Sequence, residues 1–243
     1  MVTKTSKIEE DKKEVNKKKK VANELNIQDM FESGLHFGHS KTRSNPKMKP
    51  YISFNKNSVD IIDVEKTAEK LADALDFLKD AVDRKDTILF VGTRLQVKNL
   101  VKELAEELKM PYVVDRWLGG TLTNFEIISE RVSDYSELKK KKESGEFKKY
   151  TKKERLKIDK GLQKMGRKFE GLVALKKLPD CIFVADIHHD YLAVKEANKK
   201  KISVVAICDT NTDPTKVTYP IPANDDAILS IKYIFGKIRE VLS

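Results

Sequence analysis

Two groups of acidic and histidine side chains are the residues most suited to chemistry in this sequence, because carboxylates and imidazoles bind divalent metals and transfer protons. The first group is Asp186, His188, His189 and Asp190, and the second is Asp209 and Asp213. The two histidines are adjacent, and adjacent side chains of an extended segment point to opposite faces. The segment from Asp209 to Pro214 has a composition typical of turns. No nucleophile, base and orienting group can be combined from these residues, so we predict no catalytic residue and no metal site.

His36 and His39 form another pair that could bind a metal, but no Cys, Glu or Asp stands at a usual ligand spacing from them. The surrounding stretch, residues 35–50, also holds two prolines and several basic side chains. The basic residues are Lys41, Arg43, Lys47 and Lys49. We predict a loop in which the histidines make hydrogen bonds or phosphate contacts and the four basic side chains bind RNA phosphates.

The turn Gly92-Thr93-Arg94 follows an apolar run, and open α/β sheets bind ligands where their strands end. The sequence lacks both G-x-G-x-x-G and G-x-x-x-x-G-K-[ST], whose glycines let a phosphate approach the backbone. We therefore predict no nucleotide cofactor, and we count Arg94 among the RNA-binding candidates. A metal- or nucleotide-binding enzyme that uses Asp186, His188, Asp209 and Asp213 stays the alternative.

The net charge of +10 is concentrated in two segments. Residues 139–168 hold fourteen basic and four acidic residues, and residues 1–25 hold eight lysines and five acids. The remaining 26 basic and 29 acidic residues leave the rest of the chain close to neutral. Basic extensions on a neutral body are typical of a protein that binds a polyanion. The RNA-binding candidates in the more basic segment are Lys139, Lys140, Lys141, Lys142, Lys148, Lys149, Lys152 and Lys153.

The sequence also bears on the cellular compartment of the protein and on whether a membrane segment anchors it. No run approaches the about 20 apolar residues that cross a bilayer, and acids near the N-terminus argue against an organellar leader. Residues 1–25 hold too few apolar side chains to fold, so we predict a disordered basic tail that contacts RNA or only keeps the protein soluble. Cys181 and Cys208 lie in apolar runs, which predicts buried thiols in a reducing cytoplasm.

Apolar periodicity predicts the elements that position these residues. Strands are predicted at 51–54, 59–63, 87–91, 112–114, 181–186 and 202–208, with helices at 27–33, 64–83, 95–109, 190–200 and from 227 onward. This alternation predicts an α/β domain, residues 26–120 with 176–243, built on a parallel sheet. Trp117 and Gly119-Gly120 mark its junction with an insertion, where we predict a turn, a helix N-cap and an RNA contact by Arg116.

The insertion, residues 121–175, has two apolar stripes at helical spacing. The first is Phe125, Ile128, Val132, Tyr135 and Leu138, and the second is Ile158, Leu162, Met165, Phe169 and Leu172. Two antiparallel helices of about 20 residues would project roughly 30 Å from the sheet. Because their exposed faces are basic with few acids for pairing, we favour an RNA-binding arm. The alternatives are a solvated hairpin and a module that grips a helix of another protein.

Motifs in consistent order across the body resemble the family of the second small-subunit ribosomal protein of bacteria and organelles. Among them are Gly34-Leu-His-Phe-Gly-His39, Asn45-Pro-Lys-Met-Lys-Pro-Tyr51, Ile88-Leu-Phe-Val-Gly-Thr93, Arg116-Trp-Leu-Gly-Gly120, Leu178-Pro-Asp180, Asp209-Thr-Asn-Thr-Asp-Pro214 and Asn224-Asp-Asp-Ala227. The resemblance implies a structural, non-catalytic constituent of the small ribosomal subunit without a cofactor. It implies a Rossmann-like, mostly parallel sheet flanked by helices, with an inserted coiled-coil hairpin. The implied partners are ribosomal RNA and neighbouring ribosomal proteins, with no membrane and no homo-oligomer.

Overall fold

The computed structural model describes residues 25–242, except for the side chain of Lys148. Of the predicted basic tail, only Leu25 falls within this range, and its side chain is buried. The eight strands form a three-stranded antiparallel sheet, in the order β1-β3-β2, and a five-stranded parallel sheet, in the order β5-β4-β6-β7-β8. With helices flanking the larger sheet, the fold is α/β as predicted. The chain divides into two compact units.

The first unit holds the described residues up to Lys85 together with those from Val205 onward. Its elements are α1 (Ile27–Glu32), β1 (Phe37–Ser40), β2 (Ile52–Lys56), β3 (Val59–Ile62), α2 (Val64–Asp83), most of β7 (Ser203–Cys208), β8 (Tyr219–Pro222) and α7 (Ile228–Leu242). Strands β2 and β3 pair as an antiparallel hairpin. Asn57 and Ser58 in its turn both adopt positive φ, at 51° and 64°. That conformation matches the twist of a two-residue turn.

Helix α2 begins and ends where the sequence predicts. Its N-cap, Asp63, accepts a hydrogen bond from the backbone N–H of Glu65 at 3.1 Å. Leu71, Leu75 and Leu78 are fully buried on one face. Each such burial contributes about 1.5–3 kcal/mol relative to exposure, so this face fixes the helix within its unit.

One prediction for the first unit is wrong. Residues 35–50 are not all loop, because Phe37–Ser40 pairs with β3 and two short 3₁₀ helices follow. This strand lacks the alternation of apolar and polar side chains by which a sequence signals β-structure. Tyr219–Pro222 forms an edge strand, parallel to β7. Its prolines lack N–H donors, which an edge position tolerates.

The second unit is Asp86–Val204. Its elements are β4 (Ile88–Val91), α3 (Lys98–Glu107), β5 (Tyr112–Val113), α4 (Phe125–Glu143), α5 (Lys152–Phe169), β6 (Cys181–Val184) and α6 (Tyr191–Lys200). Strands β4 and β6 are entirely apolar and buried, as expected for parallel strands covered on both faces. The rings of Phe90 and Phe183 lie 5.7 Å apart between these strands.

Both cysteines are buried free thiols, as predicted. Burial raises the pKa of the Cys208 thiol, so this side chain behaves as a small apolar group. Among the described residues, no helix combines the length and apolar character needed to cross a membrane.

Candidate nucleic-acid interface

The most basic part of the structure consists of α4, α5 and the turn between them, residues 125–169, which we call the arm. Helix α4 ends at Glu143, and Gly145 follows with a φ of 78°, a left-handed conformation that glycine adopts at low cost. Thr151 then begins α5 with a capping box, in which the Glu154 carboxylate accepts the backbone N–H of Thr151 at 2.9 Å. These hydrogen bonds lower the pKa of Glu154.

The two arm helices contact each other at two points along the arm. The Lys142 Nζ lies 2.7 Å from an Asp159 carboxylate oxygen. Tyr135 is buried against Gly166, where an added Cβ would lie 3.2 Å from the tyrosine hydroxyl. From the first contact to the second, α4 runs backward by seven residues while α5 runs forward by seven. The helices are therefore antiparallel, and their coiled-coil packing stays a prediction.

The apolar stripe of α5 faces inward. Leu162, Phe169 and Leu172 are buried, whereas Ile158 and Met165 are partly exposed. A stripe that is already covered offers little surface for a helix of another protein, which disfavours the docking-module alternative.

The lysines predicted to bind RNA lie on the exposed surface of the arm. Those whose side chains the structure describes as exposed are Lys139, Lys140, Lys141, Lys142, Lys149, Lys152 and Lys153. Lys148 belongs to a short 3₁₀ helix, and its side chain lies outside the described part of the structure. Lys142 is held by Asp159, so its charge is partly committed within the arm.

The segment that leads into the arm is fixed by one buried carboxylate, Glu196 of α6. The indole Nε1 of Trp117 donates to its Oε1 at 3.1 Å, and the Gly120 backbone N–H donates to the same atom at 2.8 Å. The backbone N–H groups of Leu122 and Thr123 donate to Oε2 at 3.0 and 3.1 Å, and the Thr123 hydroxyl donates there too.

Burial opposes the charge on Glu196, but these hydrogen bonds outweigh it and lower the pKa of the carboxyl group. The predicted N-cap is wrong in its chemistry, because Asn124 makes no side-chain capping hydrogen bond. Glu196, from a distant helix, instead accepts backbone N–H groups of the turn that precedes α4. Gly120 has a φ of 95°, which explains the glycine at this turn. Arg116, beside the anchored Trp117, is exposed.

The turn after β4 is closely packed against α3. A Cβ on Gly92 would lie 2.6 Å from Val101 Cγ2, so the glycine lets α3 pack closely on the sheet. The Asp190 carboxylate accepts the backbone N–H and the hydroxyl of Thr93 at 3.0 and 2.7 Å. Burial raises the pKa of Asp190 despite these hydrogen bonds.

The Asp186 carboxylate also contacts residues of its own unit. It lies 3.2 Å from Arg94 Nη1 and accepts the backbone N–H of His189 at 2.9 Å. Arg94, a predicted RNA contact, is therefore held in an ion pair. His188 and His189 are both exposed. The carboxylates of Asp186 and Asp190 thus stabilise the turn that follows β4.

The two histidines of the first unit have separate environments. His36 contacts the rings of Phe31 and Phe37, at centroid distances of 5.0 and 4.0 Å, and burial lowers its pKa. His39 Nδ1 lies 3.2 Å from Asp209 Oδ2, and its Nε2 lies 3.4 Å from Asp226 Oδ2. The hydrogen bond to Asp209 is the main reason that the pKa of His39 is raised.

One ligand atom from each of His39, Asp209 and Asp226 lies within 4.8 Å of the others, so these residues could hold a divalent ion. The sequence shows no acidic ligand at a usual spacing from His39, yet the fold brings two carboxylates beside it. Both carboxylates come from the far end of the chain, which local spacing cannot show. Asp213, by contrast, binds Lys47 at 2.9 Å.

Comparison with known proteins decides the family. The family model described as ribosomal protein S2 matches residues 30–243. The chain is 44% identical to the small ribosomal subunit protein uS2 of Roseiflexus sp. (strain RS-1) over 216 residues, which cover 89% of this chain and 82% of that protein. It is also 44% identical to uS2 of Dictyoglomus thermophilum over 216 residues, or 89% of this chain and 88% of the relative. This chain belongs to the ribosomal protein S2 family. The resemblance seen in its motifs is confirmed.

Members of the S2 family are structural proteins without catalytic activity, and this chain is a structural constituent of the small subunit of cytoplasmic ribosomes. The enzyme alternative has no support from the family. Of the four residues that it relied on, Asp186, Asp209 and Asp213 contact basic side chains or His39 within their own units, and His188 is exposed.

The remaining predicted RNA contacts lie in the first unit. Lys41, Arg43 and Lys49 are exposed. Lys47 is exposed as well, but its Nζ binds the Asp213 carboxylate and the Thr215 hydroxyl, the latter at 3.1 Å. Hydrogen bonds from Thr215 and Lys47 to the Asp213 carboxylate lower the pKa of Asp213 against the effect of burial.

The sequence analysis did not identify Glu196 as the residue that holds the turn before the arm. A signal for it existed, because Glu196 shares the face of α6 that buries Ala193 and Ala197. An acid on an apolar helix face must be paired or hydrogen-bonded.

Proposed function

We propose that this small-subunit protein binds ribosomal RNA chiefly through the arm, as a single copy, beside neighbouring ribosomal proteins. The observation that carries the proposal is the charge on the arm surface. Fourteen basic and four acidic residues occupy positions 139–168, and one of those acids, Asp159, is paired with Lys142. An unpaired basic surface of this size favours a polyanion.

Two smaller groups of residues support a secondary contact. In the first unit, Lys41, Arg43 and Lys49 form an exposed basic group that fits phosphates. In the second unit, Arg116 is exposed at the turn that leads into the arm. Because Glu196 holds that turn through five hydrogen bonds, the arm begins from a fixed point. A basic surface on a fixed base loses less entropy when RNA binds.

The test is the salt dependence of binding between the full chain and small-subunit ribosomal RNA. Binding of lysines to phosphates releases counterions, so the logarithm of the affinity falls linearly with the logarithm of the salt concentration. Neutralising Lys139, Lys140 and Lys141 with glutamine should weaken binding and make the slope shallower by about 2 to 3. Lys142 is left intact because its ion pair joins the two helices.

A matched control replaces three exposed lysines outside the arm, Lys79, Lys199 and Lys232, with glutamine. Both triple variants lose the same net charge, so a general charge effect would change both slopes equally. A shallower slope in the arm variant alone supports the proposal. Equal slopes in the two variants would contradict it.

A further inference from the structure

The exposed face of α5 carries a groove of about 730 Å³ that is lined mainly by lysines and includes a glycine. Its basic lining residues recur every three or four positions and are Lys153, Lys157, Lys160 and Lys164. Side chains at this spacing lie on one helix face, about 5–6 Å apart at Cβ, so the four charges form a row of roughly 16 Å. All four are exposed, and none makes an ion pair within the described residues.

The acid in the groove does not neutralise this row. The Glu154 carboxylate accepts both the backbone N–H and the hydroxyl of Thr151 at 2.9 Å, which commits it to the start of α5. Leu156 adds an exposed apolar side chain to the lining. The groove is therefore a positive strip with one apolar contact point, which suits a phosphate backbone and its sugars.

Gly161 lies in the middle of this strip, inside α5, where glycine disfavours a helix. The other glycine of α5, Gly166, has an internal reason, because Tyr135 packs against it. A Cβ on Gly161 would meet no atom within 4 Å. Packing within the chain thus does not require this glycine, whereas close approach of a partner's backbone would.

We propose that this groove seats one strand of the ribosomal RNA backbone, with the four lysines on successive phosphates and Gly161 at the point of closest approach. The inference rests on the proposed function and adds to it a defined face of the arm. The row of unpaired cations favours RNA over a protein partner, for which an acidic helix would be needed.

The test uses the full chain and small-subunit ribosomal RNA, with Gly161→Gln as the principal variant. Glutamine suits a helix and fills the groove without changing the charge. We expect the affinity to fall about tenfold, as for the loss of one or two phosphate contacts. Lys157→Gln combined with Lys160→Gln and Lys164→Gln should also make the salt slope shallower by about 2 to 3.

The matched control is Gly236→Gln, because Gly236 is also inside a helix and open to solvent but lies outside this lysine row. Circular dichroism of each variant establishes that the helices are intact. Weak binding by Gly161→Gln with normal binding by Gly236→Gln supports the inference. Wild-type affinity in Gly161→Gln would overturn it, while loss of affinity on neutralising Lys139, Lys140 and Lys141 would still uphold the proposed function.

Discussion

The indole Nε1 of Trp117 donates a hydrogen bond to the buried carboxylate of Glu196, at 3.1 Å. The same carboxylate accepts the free backbone N–H groups between Gly120 and Thr123, immediately before the arm. One side chain on α6 therefore holds the turn that precedes α4. The start of the arm is fixed by this contact between residues far apart in the chain.

Glu196→Gln should destabilise the protein by about 2–3 kcal/mol. The amide keeps one acceptor oxygen and turns an NH₂ group toward donors that now have no partner. Urea unfolding of the full chain measures the change. Glu130→Gln, on an exposed position of α4, is the control and should stay within about 0.5 kcal/mol of wild type. Equal stability of the two variants would show that Glu196 does not fix the turn.

The contribution of Glu196 should depend on pH. Because its folded-state pKa is below the ordinary value of about 4.3, the stabilisation is present above that value and is lost as the pH falls through the folded-state pKa. The difference in stability between wild type and Glu196→Gln should thus be constant from about pH 5 to 7 and shrink below about pH 4. Urea unfolding across this range measures it, and a difference that grows in acid would contradict the assignment.

The two histidines of the first unit should titrate on opposite sides of the ordinary histidine pKa of about 6.5. Hydrogen bonding and charge from Asp209, with Asp226 and Asp225 nearby, raise the pKa of His39, whereas burial lowers that of His36. NMR titration of the imidazole protons measures both values. Identical midpoints would contradict the contacts described for His39.

A raised folded-state pKa also makes His39 a source of pH-dependent stability. Its contribution is complete below about pH 6.5 and is lost as the pH rises through the folded-state value. His39→Gln should accordingly lose more stability, relative to wild type, at pH 5.5 than at pH 9. Urea unfolding at these two pH values provides the comparison, with His188→Gln as an exposed control. A larger loss at pH 9 would be the contrary result.

Gly92→Ala should destabilise the second unit by about 1–3 kcal/mol, because the added methyl group meets Val101 at 2.6 Å. Combining it with Val101→Ala should relieve the clash, so that the double variant is more stable than the sum of the two single changes predicts. Gly236→Ala, where the space is open, should be neutral or stabilising by up to about 1 kcal/mol. Thermal unfolding distinguishes these cases. If Gly92→Ala leaves the stability unchanged, close packing against Val101 does not explain this glycine.

Local patterns in the sequence were sufficient for most elements of the fold. Helix α2 was predicted from Val64 to Asp83 because its apolar residues recur at helical spacing over that range. Strands β4 and β6 were predicted because each is a continuous apolar run, which is typical of strands buried on both faces. Strand β1 was missed because Phe-Gly-His-Ser has no alternation.

The contacts that could not be predicted join residues far apart in the chain. His39 meets Asp209 across 170 positions, and Trp117 meets Glu196 across 79. Periodicity defines which face of a helix or strand is buried, but not which distant side chain it meets. The candidate RNA contacts were easier to predict, because exposed lysines depend on local charge density and not on tertiary register.

The central claim is that the arm binds ribosomal RNA, and ultraviolet crosslinking of the full chain within assembled small subunits tests it most directly. Residue-level mapping should place most protein–RNA crosslinks on the arm, within residues 139–168, with a smaller group near Lys41 and Arg43. Crosslinks found only outside the arm would contradict the claim.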